Sequence, residues 1–251
     1  MLRYFISCCA VKLSIVVPAF NEEKLLGACL RSAKAALAAC ARPGLESELI
    51  VCDNNSTDAT PRIAAEEGAA VVFEPHNQIS RSRNTGARAA TGEWLLFIDA
   101  DSILRTETLH EMFEVIAGGR IVGGGCVIEF DEMPWHALAA VRLWGVLSRV
   151  LRWAAGSFVF CRADAFRGVG GFSERLYAAE EIALSRELKR WGRARGLGFA
   201  ILCRAPHVSS GRKTSLYTSR ELLRVLGSML LSPRRTLTSP EALFHLYDRR
   251  R

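Results

Sequence analysis

The sequence lacks an uninterrupted apolar run long enough to cross a membrane. The longest apolar-rich stretch, residues 135–156, is interrupted by Arg142, Arg149 and Arg152, whereas a spanning helix needs about 20 consecutive apolar residues. The N-terminal MLRYFISCCAVK has one early arginine and a short apolar stretch, but this stretch runs directly into an apolar segment typical of a core strand. We therefore expect neither a spanning helix nor a cleaved signal peptide.

Paired cysteine spacings are also absent. The eight cysteines are scattered and form no CxxC motif, and several lie in apolar runs, as Cys161 does in SFVFC. This distribution is typical of reduced, mostly buried thiols rather than of a disulfide framework. It predicts a cytoplasmic protein.

The first strand-like segment is not followed by a glycine-rich turn. Residues 18–22 read Pro-Ala-Phe-Asn-Glu, whereas a dinucleotide-binding turn needs glycines there so that the backbone can approach the pyrophosphate. The sequence therefore argues strongly against a dinucleotide-dependent dehydrogenase.

What the sequence does have is alternation of strand-like and helix-like segments. Apolar runs predict strands at 13–17, 48–52, 69–73 and 94–98, and helix-like segments lie between them at 22–41, 57–67 and 80–90. This order predicts an α/β fold with a doubly wound, mostly parallel sheet flanked by helices. We expect a single domain over residues 1–251. In such sheets ligands bind outside the carboxyl ends of the strands.

Polar clusters follow each of these predicted strands. The first runs from Pro18 to Glu23, the second from Asp53 to Asp58, and the third, Arg81–Gly86, opens a helix, where anions are favoured. Each cluster has a structural alternative: Asn21 can cap the next helix, the second cluster can be a turn, and the third a solvated basic helix start.

The strongest of these clusters follows the fourth strand. Five consecutive apolar residues, Trp94–Ile98, lead into Asp99, Ala100 and Asp101. Two carboxylates at one strand end repel each other unless a cation binds, and their hard oxygen ligands suit Mn²⁺ or Mg²⁺ bridging to phosphates.

The second half carries a candidate base and candidate cationic residues. Glu180 and Glu181 open a predicted helix, where they either complement the helix dipole or act as a general base. His207 is either a core residue or a nitrogen ligand to the metal. Arg212 and Lys213 lie in a glycine-containing loop that can close over a diphosphate.

Together these clusters resemble the family-2 inverting glycosyltransferases of the GT-A fold. The matching pieces are VPAFNEE, LIVCDNNSTDAT, SRNTG, LLFIDADS, and GGFSE followed by an acidic pair, and they cover residues 13–192 in the family's order. The resemblance implies a nucleoside-diphosphate sugar donor, a nucleotide-sugar-binding half at 12–130, and an acceptor and catalytic-base half at 131–251.

The resemblance also implies roles for individual residues. It places the backbone after Pro18 near the nucleotide, Asp53 at the base and Arg83 near the phosphates. It makes Asp101 the direct metal ligand beside Asp99, Glu181 the general base and Glu180 the alternative base. The full set expected around the donor is Pro18, Ala19, Asn21, Glu22, Asp53, Arg83, Asp99, Ala100, Arg212 and Lys213. Two departures stand out: Asn54 replaces a common second aspartate, and the acidic pair is Glu-Glu rather than Glu-Asp.

The charge distribution leaves the remaining partners open. Residues 186–251 carry 15 Lys and Arg against 4 Asp and Glu, out of 33 and 26 in the whole chain. This basic tail indicates an anionic partner or a solvated surface. We expect a sugar, lipid or small-molecule acceptor, no nucleic acid, and a peripheral contact of 135–156 and 220–251 with an anionic membrane as the alternative to core packing. The competing functions are a nucleotidyltransferase and a non-catalytic basic module that binds nucleic acid or membrane.

Overall fold

The computed structural model describes residues 11–130, 154, 156–210 and 238. In chain order its elements are β1 (Val11–Ala19), α1 (Leu26–Ala39), β2 (Leu45–Asp53), α2 (Thr60–Glu66), β3 (Ala70–Phe73), α3 (Ile79–Ala89), β4 (Trp94–Ile98), β5 (Ser102–Ile103), α4 (Thr106–Ala117), β6 (Ile121–Phe130), β7 (Phe158–Arg162), α5 (Ala163–Gly168), α6 (Glu180–Arg193) and β8 (Gly198–Ser209).

The strands form one sheet in the order β3-β2-β1-β4-β7-β6-β8-β5. β1 pairs in parallel with both β2 and β4, and β2 pairs in parallel with β3. The chain therefore moves outward from β1 to β3 and then returns to the other side of β1. This reversal creates a crevice at the carboxyl ends of β1 and β4, the place where open α/β sheets bind ligands.

Apolar residues on both faces of the strands explain why the sheet is covered on both sides. In β4 every residue is buried. Leu96 and Ile98 belong to the core formed with α1 and α4, whereas Leu95 and Phe97 belong to the core formed with α3, α5 and α6. Successive strand residues point to opposite faces, so a continuous apolar run is what a sheet between two helical layers requires.

Helix α3 lies close to β1 because of one glycine. A Cβ atom at Gly86 would overlap Cγ1 of Val16. The SRNTG sequence therefore brings its polar residues against the sheet, at the crevice side of the molecule.

The predicted α/β fold is confirmed, and the sheet is more mixed than its first half indicates. β7 runs antiparallel to both β4 and β6, and β5 runs antiparallel to β8. β6 and β8 are parallel again. In the described part of the chain no helix has the length and apolar character needed to cross a membrane, and none of the six described cysteines lies in a disulfide.

Candidate active site

The loops that follow β1 and β2 are fastened to each other at the carboxyl edge of the sheet. Asn21 and Asn55 both adopt left-handed backbone conformations, with φ of 52° and 66°. The Asn21 N–H donates to Ser56 Oγ at 3.0 Å, and Asn21 Oδ1 accepts from the Thr57 N–H at 2.8 Å. The alternative reading of Asn21 as a helix cap is wrong, because its oxygen is used between loops and α1 begins only at Leu26, without a side-chain cap.

Asp53 ends β2 at this edge and is 5% exposed. One of its carboxylate oxygens, Oδ1, accepts from the Ser56 N–H at 3.2 Å. Pro18 and Ala19 lie opposite Cys52 and Asp53 in the parallel ladder. The structure thus brings the expected nucleotide residues of β1 and β2 side by side.

Asn54 explains why a second aspartate is missing from this edge. Its Nδ2 donates to the carbonyl oxygens of Glu74 and His76 at 3.0 and 2.6 Å, and its Oδ1 accepts from the Gln78 N–H at 3.0 Å. An aspartate cannot donate to the two carbonyls. The amide at 54 therefore holds the loop between β3 and α3.

Arg83 lies at the centre of a carboxylate cluster. Its guanidinium donates to Glu180 Oε1 at 2.9 Å, to Glu181 Oε1 at 2.9 Å and to Asp99 Oδ1 at 3.0 Å. The arginine side chain is 2% exposed. This cluster joins the loop after β4 to the first turn of α6. Its contact with three carboxylates raises the pKa of Arg83 even though burial opposes the shift.

The charges of this cluster do not balance, and the effect falls on Glu180. One guanidinium faces three carboxylates. Burial, followed by repulsion from Glu181, raises the pKa of Glu180 to about 8, and Arg83 only partly offsets these effects. Glu180 is therefore protonated near neutral pH. The Glu181 side chain is 13% exposed, against 4% for Glu180.

Asp101 and His207 lie next to each other's strands, because β5 and β8 pair. Asp101 immediately precedes β5, which pairs with the end of β8 where His207 lies, and the Ser210 N–H donates to the Asp101 carbonyl oxygen at 3.2 Å. Both ring nitrogens of His207 are buried and have no hydrogen-bond partner among the described residues. Burial lowers the pKa of His207 to about 4, so its ring is neutral. Its ring packs 5.1 Å from that of Phe158.

The donor set of Asp101 and His207 fits a divalent cation. A buried, neutral imidazole without a hydrogen bond has a lone pair to offer, and a carboxylate adds a hard oxygen ligand. Asp99 is partly occupied by Arg83. Within residues 11–130, 154, 156–210 and 238, no group of three or more His, Cys, Asp or Glu side chains is gathered as a metal site, so phosphate oxygens or water would have to complete the coordination.

Some predicted residues lie outside the described part of the chain. These are Arg212 and Lys213, nearly all of the 135–156 segment, and the tail from 220 onward apart from Thr238. The predictions of a diphosphate-covering loop and of a membrane-facing or core-packed helix therefore stay predictions.

Sequence reasoning missed Gln78 altogether, and it included Asn84 and Glu174 only as members of the SRNTG and GGFSE matches, without a role of their own. Asn84 Nδ2 donates to the Phe172 carbonyl and to Glu174 Oε1, and Gln78 Nε2 donates to the carbonyls of Glu174 and Leu176. Asn84 stands in the SRNTG match beside Arg83, so the motif itself was a signal. Its partners lie about 90 residues away in sequence, where spacing carries no information.

Comparison with known proteins bears on the family and the fold of the chain. The sequence model described as Glycosyl transferase family 2 matches residues 14–161. A relative from Mycobacterium tuberculosis, the uncharacterized glycosyltransferase Rv0539, is 35% identical over 112 residues, which cover 44% of this chain and 47% of the relative. The glycosyltransferase AglE of Haloferax volcanii is 27% identical over 184 residues, 67% of this chain and 58% of the relative. The chain thus spans about half the length of these curated relatives.

Two solved structures share the fold. The mannosyltransferase PcManGT from Pyrobaculum calidifontis, in complex with GDP-Man and Mn²⁺, has a TM-score of 0.64 at 18% identity, covering 96% of this chain and 71% of that one. Glucosyl-3-phosphoglycerate synthase from Mycobacterium tuberculosis, in complex with Mn²⁺, UDP-Glc and phosphoglyceric acid, has a TM-score of 0.60 at 17% identity, covering 91% and 81%. At these identities the likeness is one of fold.

Proposed function

Because the chain belongs to glycosyl transferase family 2, we propose that it is a metal-dependent inverting enzyme that moves a sugar from a nucleoside-diphosphate sugar to an acceptor hydroxyl. The observation that carries this proposal is the Arg83 cluster, which brings Asp99 at the donor edge and the acidic pair of α6 into one hydrogen-bonded group. Asp99 and the proposed base thereby contact the same guanidinium, through Nη2 and Nη1 respectively.

We assign the general base to Glu181 and not to Glu180. A base must reach the acceptor proton. The Glu181 side chain is 13% exposed, whereas that of Glu180 is 4% exposed and is closed off from an incoming hydroxyl. Glu181 would take the proton of the acceptor hydroxyl. At the same time the hydroxyl oxygen would form a bond to the anomeric carbon of the donor sugar. The bond from that carbon to the diphosphate breaks on the opposite face, and the configuration inverts.

The proposed metal is Mn²⁺, with Mg²⁺ as the alternative, held by Asp101 and His207 with Asp99 beside them. Related structures contain Mn²⁺ with UDP-Glc or GDP-Man. When bound, such a cation neutralises charge on the diphosphate leaving group. The neutral ring of His207 and the buried Asp101 carboxylate supply ligands of the two types that Mn²⁺ accepts.

The donor is proposed to lie along the carboxyl edge of β1, β2 and β4. Asp53 would accept from the nucleotide base, and Glu22 and the backbone of Pro18, Ala19 and Asn21 would line the nucleotide. Arg83 would act near the phosphates through its contact with Asp99, and Arg212 and Lys213 would cover the diphosphate. The acceptor is a sugar, a lipid or a small molecule. A lipid acceptor would agree with a cytoplasmic protein that makes a peripheral contact with the inner face of an anionic membrane.

Release of nucleoside diphosphate from sugar nucleotides tests this function. UDP-glucose and GDP-mannose are incubated with the full chain, Mn²⁺ and a panel of acceptors that includes phosphoglycerate. We expect Mn²⁺-dependent release, and a loss of roughly 100-fold or more in Asp101→Asn. In the wild type, adding Mn²⁺ should increase the rise in melting temperature that nucleoside diphosphate causes. In Asp101→Asn this effect of Mn²⁺ should be lost.

Asp164→Asn is the matched control, because Asp164 pairs with Arg162 at the start of α5, away from the carboxyl edge. It should release nucleoside diphosphate at the wild-type rate. Normal turnover in Asp101→Asn would contradict the metal assignment. Pyrophosphate as the product would instead identify a nucleotidyltransferase.

A further inference from the structure

The segment that leads into α6 is attached to α3 by side-chain hydrogen bonds. This segment, residues 172–176, follows two glycines in left-handed conformations, Gly170 and Gly171, with φ of 83° and 73°. After it the chain enters α6 through Ala179, which is also left-handed, with φ of 61°. Glycine adopts such conformations readily, whereas a left-handed alanine is uncommon and persists only where surrounding contacts hold it.

Asn84 provides the first of these contacts. Its Nδ2 donates to the Phe172 carbonyl at 3.0 Å and its Oδ1 accepts from the Phe172 N–H at 2.9 Å, so one amide satisfies both backbone groups of one residue. The same Nδ2 lies 3.1 Å from Glu174 Oε1. Asn84 is 7% exposed. The backbone at Gly171 comes so close that a Cβ there would lie 2.7 Å from Asn84 Oδ1.

Gln78 provides the second contact, one residue before α3 begins. Its Nε2 donates to the carbonyls of Glu174 and Leu176, each at 2.9 Å. Its own backbone N–H is bound by Asn54 of the loop after β2. Gln78, 3% exposed, therefore links the nucleotide side of the carboxyl edge to the 172–176 segment.

Arg83, the neighbour of Asn84 on α3, bonds the acidic pair itself. Helix α3 and the residue before it therefore hold the approach to α6 through two amides and the Arg81–Glu174 ion pair, and the first turn of α6 through Arg83. Because α3 is also seated against β1 at Gly86, these contacts tie the acidic pair to the strand that ends at the carboxyl edge.

We propose that Asn84 and Gln78 are positioning residues that set Glu181 in place relative to the donor by fixing the 172–176 segment on α3. Both act through the backbone of this segment, to which their side-chain amides are bonded. This inference rests on the proposed function, since it gives Glu181 the role of base. Misplacing a base by about 1 Å is enough to slow a reaction roughly 100-fold.

Donor hydrolysis tests the inference without knowledge of the acceptor. UDP-glucose or GDP-mannose is incubated with Mn²⁺ alone, so that water attacks the anomeric carbon, its proton passes to Glu181 and nucleoside diphosphate leaves. Asn84→Asp keeps the acceptor for the Phe172 N–H but loses the donor to its carbonyl. We expect its kcat to fall roughly 10- to 100-fold, while the donor KM and the affinity for UDP or GDP stay within about twofold.

Gln78→Ala should lower kcat in the same way, and it serves in place of Asn84→Asp if the latter does not fold. Ser14→Ala is the matched control, because Ser14 is also buried but bonds Glu48 Oε1 at 2.6 Å, away from the carboxyl edge of the sheet. It should keep both kcat and KM. If kcat in the Asn84 and Gln78 variants equals that of Ser14→Ala, or if their KM rises as kcat falls, the positioning role is overturned. Absence of any release by the wild type, with and without the acceptor panel, would instead overturn the proposed function.

Discussion

Glu180 and Glu181 are identical residues at consecutive positions in the sequence, but their surroundings in the structure differ. Both contact Arg83, and the difference between them is burial. A carboxylate in a nearly closed site beside another carboxylate loses more by ionising than one with access to water. A single guanidinium cannot neutralise both, so the buried one keeps its proton.

This protonation predicts how stability depends on pH. The pKa of Glu180 rises from 4.5 to about 8 on folding, so between these values the folded state binds more protons than the unfolded state. The resulting stability is fully present below pH 4.5 and is lost as the pH rises through 8. Glu180→Gln mimics the protonated group and should remove this loss.

The measurement is the melting temperature between about pH 6 and about pH 9. Relative to the wild type, Glu180→Gln should gain at least about 2 °C at the alkaline end, which corresponds to roughly 1 kcal/mol in a chain of this size. Glu66→Gln, which alters an exposed ion pair on α2, should follow the wild type. If the melting temperature of the wild type falls no more than that of Glu180→Gln over this pH range, the raised pKa of Glu180 in the folded state is contradicted.

Among the elements, the loops at the carboxyl edge owe their shape to amides rather than to packing. Asn21 bridges the loops after β1 and β2, Asn54 holds the loop between β3 and α3, and Asn84 holds the 172–176 segment. An amide offers a donor and an acceptor from one planar group. It can thus satisfy backbone N–H and carbonyl groups at once, as Asn54 and Asn84 do.

Asn54→Asp tests this principle on stability. The variant keeps the acceptor for the Gln78 N–H but turns an oxygen toward the carbonyls of Glu74 and His76. Leaving such buried groups unsatisfied costs about 1–3 kcal/mol each. We expect a free energy of unfolding lower by about 2 kcal/mol or more, measured by urea denaturation.

Asn55→Asp is the neighbouring control. Asn55 is exposed, its amide bonds only Asn77 Oδ1 among the described residues, and aspartate tolerates the left-handed backbone found there. Its effect should stay within about 0.5 kcal/mol. Equal losses in the two variants would show that the charge, and not the lost donors, is responsible.

For the whole molecule, the sequence predicts the donor half better than the base half. Strands β1 to β4 follow each other with helices between them, so alternation alone predicts their parallel order and the crevice at Asp99–Asp101. Alternation does not predict the position of β7 between β4 and β6, because β7 runs antiparallel to both neighbours. The contacts of Arg83 with Glu180 and Glu181 join residues almost 100 positions apart, which no local pattern encodes. Their roles as base and positioning partner remain proposals.

The most direct test of the central claim is the Mn²⁺-dependent release of nucleoside diphosphate by Glu181→Gln. Removing a general base should lower kcat roughly 100-fold or more, while UDP or GDP still binds with wild-type affinity. Glu187→Gln, on the exposed side of the same helix α6, is the control and should keep full turnover. Wild-type turnover in Glu181→Gln would contradict the proposed mechanism, since Glu181 is the residue proposed to take the proton of the acceptor hydroxyl.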